Sequence, residues 1–303
     1  MDRRDFMKAG AVAGAAAMSF TAMRAAAADA PKPNAAKFKL KYAPHFGMFR
    51  SSAGNDPLDQ LQFGADQGFT AWEDNGMGGK PADLQEKIGQ KMTQLGMTMG
   101  VFVTGLGSLV NPPKDTKDGI VKKARAAIET AKRVNAKWTT VVPGRYSEKL
   151  EMAYQTAHVV DNLRFAAEVL EPAGLVMVLE SLNWWANHPG LFLTKIPQAY
   201  EICRAVNSPS CKILDDLYHQ QISEGNLIPN MEMAWSEIGY IQIGDNPGRK
   251  EPTTGEINYR NIFKWLHELK KYDGVLGMEH GNSKPGKEGE QAVIDAYRAC
   301  DDF

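Results

Sequence analysis

Leu175-Val176-Met177-Val178-Leu179-Glu180 is an apolar run that ends on a carboxylate, and the chain repeats the device three more times. Ile213-Leu214-Asp215-Asp216, Tyr240-Ile241-Gln242-Ile243 and Leu276-Gly277-Met278-Glu279 each set an oxygen-bearing side chain at the end of a short apolar segment. Short runs rich in branched residues predict buried strands. Outward from this core, eight such segments are predicted: 38–44, 69–73, 98–104, 137–143, 175–180, 212–216, 238–243 and 275–279.

Helical signals fill the intervals. Asp56 is placed as an N-cap with Pro57 at the first helical position, and Leu58, Leu61 and Ala65 follow on one face. Leu84, Ile88, Met92 and Leu95 form a second stripe closed by Gly96, and Val159, Leu163, Ala166 and Leu170 a third stopped by Pro172. Eight strand–helix units without a linker predict one α/β domain, 31–303, folded as a (β/α)8 TIM barrel. An open doubly wound sheet would need a glycine fingerprint after the first strand, and His45-Phe46-Gly47-Met48-Phe49-Arg50 does not supply one.

Composition narrows the function. The 303 residues are 43% hydrophobic, enough for a large core, and 35 Lys plus Arg against 36 Asp plus Glu leave no electrostatic footprint for a nucleic acid. Three cysteines, Cys203, Cys211 and Cys300, do not make a disulfide framework, although a 203–211 bridge is conceivable. Arg3-Arg4 before an Ala/Gly-rich apolar run, with Ala28-Asp29-Ala30 after it, resembles a twin-arginine export signal. Residues 1–30 are therefore expected to be removed on export, leaving a periplasmic or extracellular protein with no membrane attachment. The expected partner is a small molecule, with a homo-oligomer left open.

Active sites of such barrels form at the carboxyl ends of the strands, where Glu180, Asp216, Gln242 and Glu279 stand together. A carboxylate directly after an apolar run is costly to bury unless it is paired or bound to a cation. Three carboxylates and an amide oxygen form an all-oxygen set, which suits one divalent ion, Mg2+ or Mn2+, better than Zn2+. Asp215 is expected on the opposite face of its strand in a structural ion pair. His45 is expected to face the pocket, Glu73 to bind a substrate hydroxyl or pair with a cation, and Trp184 and Trp185 to offer a stacking wall. His158, His188 and His267 read as surface or packing residues, and the 76–80 stretch as a flexible barrel loop.

Leu179-Glu180-Ser181-Leu182-Asn183, Asp216-Leu217-Tyr218-His219-Gln220 and the block from Gln242 to Tyr259, with Gly244-Asp245-Asn246-Pro247-Gly248-Arg249 inside it, resemble hydroxypyruvate isomerase and its relatives in the xylose isomerase-like barrel superfamily. The resemblance implies a metal site at Glu180, Asp216, Gln242 and Glu279, with Glu180 and Glu279 also the acid/base pair. It further implies substrate contacts from His219 and Arg249. Related ketose epimerases usually carry His where Gln242 stands, and Tyr is commoner than His280 after the last glutamate; His45 is a further departure. The implied activity is a proton shift between adjacent carbons of an α-hydroxycarbonyl compound, a keto-acid or keto-sugar. The export signal favours the alternative of a keto-sugar epimerase, lyase or hydratase working outside the cytoplasm. A sugar-binding barrel without catalysis has no use for the acid/base pair. The zinc endonuclease of the same superfamily needs more histidines than the six present.

Overall fold

The computed structural model describes residues 35–114 and 116–303. The expected export signal at 1–30 lies outside the described residues. Eight strands appear in the predicted order: β1 Lys41–Ala43, β2 Ala71–Trp72, β3 Thr98–Met99, β4 Trp138–Val141, β5 Val176–Glu180, β6 Cys211–Asp216, β7 Ile238–Gln242 and β8 Val275–Gly277. All pairings are parallel. One sheet runs β1-β8-β7-β6-β5-β4 and a second pairs β2 with β3. Single parallel bridges, His45 to Glu73 and Val103 to Thr140, join the two sheets and complete the ring.

The first three strands are shorter than their apolar runs. Just past β3, Gly100 still donates to Trp72 O at 2.8 Å, and its missing side chain leaves the space where the Tyr240 hydroxyl crosses the barrel. A Cβ at Gly100 would lie 2.3 Å from that oxygen.

Strand periodicity sorts the side chains into two compartments. Ala43, Ala71, Val101, Val178, Leu214, Tyr240 and Val275 fill the barrel interior. The other strand faces pack against the helices in a larger cluster that includes Leu61, Ile88, Met92, Leu163 and Leu170, each worth about 1.5–3 kcal/mol when fully buried. These are the predicted stripes. The first lies on helix Pro57–Asp66, where the Asp56 side chain accepts from Leu58 N at 2.8 Å. The second lies on Ala82–Leu95, closed by Gly96 in the left-handed region at φ 66°, and the third on Met152–Leu170. Glycine also lets elements touch: a Cβ on Gly89 would meet the Arg133 carbonyl of helix Thr116–Val134 at 2.1 Å.

Asp301, at the end of helix Gly286–Asp301, accepts from the Lys39 backbone at 2.8 Å and from the Tyr42 hydroxyl at 2.9 Å, clasping the last helix to the first strand. Cys203, Cys211 and Cys300 are buried free thiols. No described helix is long and apolar enough to cross a membrane.

Candidate active site

Two residues beyond each interior position the same face of the strand reaches the barrel mouth. Val178 leads to Glu180, Leu214 to Asp216 and Tyr240 to Gln242, while Val275 leads through Gly277 to Glu279. Pairing then aligns neighbours, with Asp216 opposite Gln242 and Gln242 opposite Gly277. Asp216 also caps helix Leu217–Ser223: its Oδ1 accepts from Tyr218 N at 2.9 Å and His219 N at 3.4 Å. This cap turns His219 inward. Its Nε2 stands 3.5 Å from Asp216 Oδ2 and 3.9 Å from Glu180 Oε1. Arg249 closes the chain of charges, with Nη2 2.8 Å from Asp216 Oδ2 and 3.2 Å from Glu279 Oε2. Its φ of 51° is in the left-handed region, and its guanidinium lies 4.9 Å from the centre of the Tyr218 ring.

Crowding and burial perturb these groups. Burial, then the nearby Glu279 and Asp216, hold the Glu180 carboxyl well above the usual range. Burial and Asp216 push Glu279 up to about 7. Burial lowers His219 to about 4, so its ring is neutral at physiological pH. Carboxyls held above their usual range at a barrel mouth are suited to proton transfer.

From the opposite side of the ring, Glu73 accepts from Tyr240 OH at 2.8 Å and from Gln242 Nε2 at 2.9 Å. Burial, followed by Glu279, raises its carboxyl to about 8. Gly277 makes room for it, since a Cβ there would lie 2.0 Å from Glu73 Oε2. Asn75, one same-face step beyond Glu73, donates to Glu279 Oε1 at 3.0 Å.

The sequence profile of the xylose isomerase-like TIM barrel matches residues 61–300. The chain belongs to this family. Residues 1–19 match the profile of the twin-arginine translocation signal sequence. Hydroxypyruvate isomerase of Escherichia coli (strain K12) is 33% identical over 196 residues, which cover 64% of this chain and 72% of that protein. A 2-oxo-tetronate isomerase of Pectobacterium atrosepticum is 31% identical over 230 residues, covering 74% and 86% of the two chains. A solved structure described as an AP endonuclease, family 2, from Brucella melitensis superposes with a TM-score of 0.72 at 24% identity, over 82% of this chain and 96% of that one; at that identity it shows the fold alone.

In this xylose isomerase-like barrel the donor set is compatible with a metal ion. Glu180, Asp216 and His219 offer ligand atoms that all lie within 4.8 Å of one another. Gln242 Oε1 is buried without a hydrogen-bond partner, and Glu279 Oε2 has only the Arg249 guanidinium beside it at 3.2 Å. Because Gln242 Nε2 is committed to Glu73, the free amide oxygen is the atom left for an electrophile.

Other sequence candidates take different places. His45 sits at the mouth with Nδ1 3.1 Å from Phe46 O and Nε2 3.1 Å from His280 O, so both nitrogens face backbone carbonyls. Trp184 is 47% and Trp185 73% exposed, their rings edge to face at 5.1 Å beyond β5. His280 is buried against Tyr297 OH at 2.9 Å, and burial lowers it to about 3. Asp215 corrects an expectation: it does face away from the site, yet no ion pair reaches it among the described residues. Its Oδ1 is unpartnered and burial raises the carboxyl to about 8. The 76–80 stretch is a tight 3-10 turn, Met77–Gly79, anchored by fully buried Met77 and a 2.7 Å Lys80–Asp74 ion pair, rather than a flexible loop. His188 packs, as expected, and does so edge to face on His219, with 5.2 Å between the ring centres. Sequence reasoning also passed over Asn75 and Asn183. The two-residue period from Ala71 through Glu73 would have found the first, and the second closes the 179–183 stretch that carries the family resemblance.

Proposed function

We propose that this protein is a divalent-metal-dependent isomerase that moves a proton between adjacent carbons of an α-hydroxycarbonyl compound through an enediolate. The observation that carries the reading is the linked set Glu180, His219, Asp216, Arg249 and Glu279, with two carboxyls raised toward neutrality. Glu180 on β5 and Glu279 beyond β8 take and return the proton. His219 and Arg249 bind the substrate's oxygens. Glu180, Asp216, Gln242 and Glu279 would hold one Mn2+ or Mg2+, whose chemistry is to stabilise negative charge on the two substrate oxygens. The match to a twin-arginine signal and the exposed Trp184–Trp185 pair favour a second reading, in which the same chemistry acts outside the cytoplasm on a larger keto-sugar as epimerase, lyase or hydratase. The mature domain would then start near residue 31.

Incubation with a three-carbon keto-acid or a keto-sugar in deuterated water, with Mn2+, tests the proton shift. Deuterium should enter at the carbon next to the carbonyl and stop entering after chelation. Turnover that leaves solvent deuterium out would indicate an internal hydride shift and remove the roles given to both glutamates. Chelation should also lower the melting temperature, since gathered carboxylates repel one another, and Mn2+ should restore it.

A further inference from the structure

Asn183 is fully buried two residues after the β5 loop begins, and its amide orientation is fixed by the backbone. Oδ1 accepts from Ala186 N at 2.9 Å and from Asn187 N at 3.1 Å. The amide nitrogen must therefore face the other way, where it lies 2.6 Å from His219 Nδ1 and 2.9 Å from Asn187 Oδ1. The Asn183 backbone N–H points at the same Nδ1 from 3.4 Å. Two donors converge on one ring nitrogen, which leaves it no room for a proton of its own. Nδ1 has to be the acceptor.

We infer that Asn183 is a positioning residue that locks His219 in its Nε2–H tautomer, making His219 a hydrogen-bond donor into the site and not a metal ligand. The Nε2 atom is buried and has no partner within the protein. Its 3.5 Å and 3.9 Å separations from Asp216 and Glu180 are too long for good hydrogen bonds. A protonated Nε2 has no lone pair for a cation, so the three-residue cluster of Glu180, Asp216 and His219 reduces to its two carboxylates. What satisfies the N–H is an acceptor oxygen seated between those carboxylates. Naming that acceptor as a hydroxyl or carbonyl oxygen of an α-hydroxycarbonyl substrate rests on the isomerase reading; the tautomer does not.

The test uses the metal-free full chain labelled with 15N-histidine. Long-range proton–nitrogen correlations report which ring nitrogen carries hydrogen, and the His219 signals are assigned by their loss in His219→Gln or His219→Asn. The wild-type protein should show a bare Nδ1 and a protonated Nε2. Asn183→Asp keeps the oxygen that holds the loop but turns a carboxylate oxygen toward Nδ1, so the proton should move to Nδ1. Loss of the donor should lower kcat on the order of 10²-fold, while Mn2+ affinity of His219→Gln stays within about threefold, against the roughly 10–100-fold expected for disturbing a ligand. A wild-type spectrum with the proton on Nδ1, or a tenfold or greater loss of Mn2+ affinity in His219→Gln, overturns the inference. Absence of solvent exchange with every substrate would leave the spectrum unchanged and count against the isomerase reading alone.

Discussion

The two halves of the barrel are held differently and carry different things. From β4 to β8 the strands pair continuously, with four register pairs at each of the β4–β5, β5–β6 and β6–β7 seams and two at β7–β8. Between β2 and β3 there are also two, but that pair is joined to the rest of the ring on each flank by a single bridge. The densely paired half bears the ligating and reacting oxygens. The thinly paired half bears their supports, Glu73 under Gln242 and Asn75 beside Glu279. Mutually repelling carboxylates need a backbone that does not yield, and a dense ladder provides it. Supports that cross the barrel need an uncrowded interior, which Ala71, Gly100 and Gly277 provide.

Breaking the dense half should give the largest effect. Glu180→Gln and Glu279→Gln keep an oxygen at the rim but remove the base, so each should lose on the order of a hundredfold or more in kcat. Steady-state rates and deuterium wash-in check this, and an unimpaired variant would move the acid/base role elsewhere.

The thin half should respond in stability and metal binding first. Glu73→Ala strands the Tyr240 hydroxyl and the Gln242 amide, each costing about 1–3 kcal/mol, and frees Gln242 to turn, which should weaken Mn2+ binding about 10–100-fold. Gly277→Ala should cost about 1–3 kcal/mol by overpacking against Glu73. Denaturant unfolding and calorimetric titration separate the two losses; unchanged Mn2+ affinity in Glu73→Ala would show that Gln242 needs no support.

The smallest effect on turnover is expected at Asp215, behind the dense half. Its carboxyl rises to about 8 in the folded chain, against about 4 in an unfolded one. A carboxyl raised on folding contributes stability that is complete below its unfolded pKa and is lost as pH rises through the folded value. This contribution should therefore decline from about pH 4 to about pH 8, alongside those of Glu73 and Glu279, and Asp215→Asn should remove its own share of the decline without affecting turnover. Thermal unfolding across this window, with metal present throughout, reads it directly.

The sequence exposed the dense half more clearly than the thin one for a physical reason. A run such as Val176-Met177-Val178-Leu179 is buried on both faces, so a carboxylate following it has few places to go but the rim. Asp216 and Gln242 share that logic, and the profile match to the xylose isomerase-like TIM barrel agrees with the fold it implied. The ladders at β1 to β3 were overestimated because hydrophobic content marks burial, not pairing. Gly100 is buried there without a long ladder around it. Asn183 and His188 stayed hidden because a loop conformation, not a repeat, brings them to His219. Asp215 misled because strand alternation gave its face correctly but said nothing about what would meet it.

The clasp of Asp301 on Lys39 and Tyr42 bears on how the ring could be cut. The break in the polypeptide falls between β8 and β1, where three register pairs and the clasp already bind the neighbours. The two seams with single bridges are instead spanned by unbroken chain. Covalent continuity and hydrogen bonding thus cover for each other around the circle. A circular permutant joined at the clasp and opened between β5 and β6 would keep a four-pair ladder across the new ends, whereas one opened between β3 and β4 would leave a lone bridge to hold the circle closed.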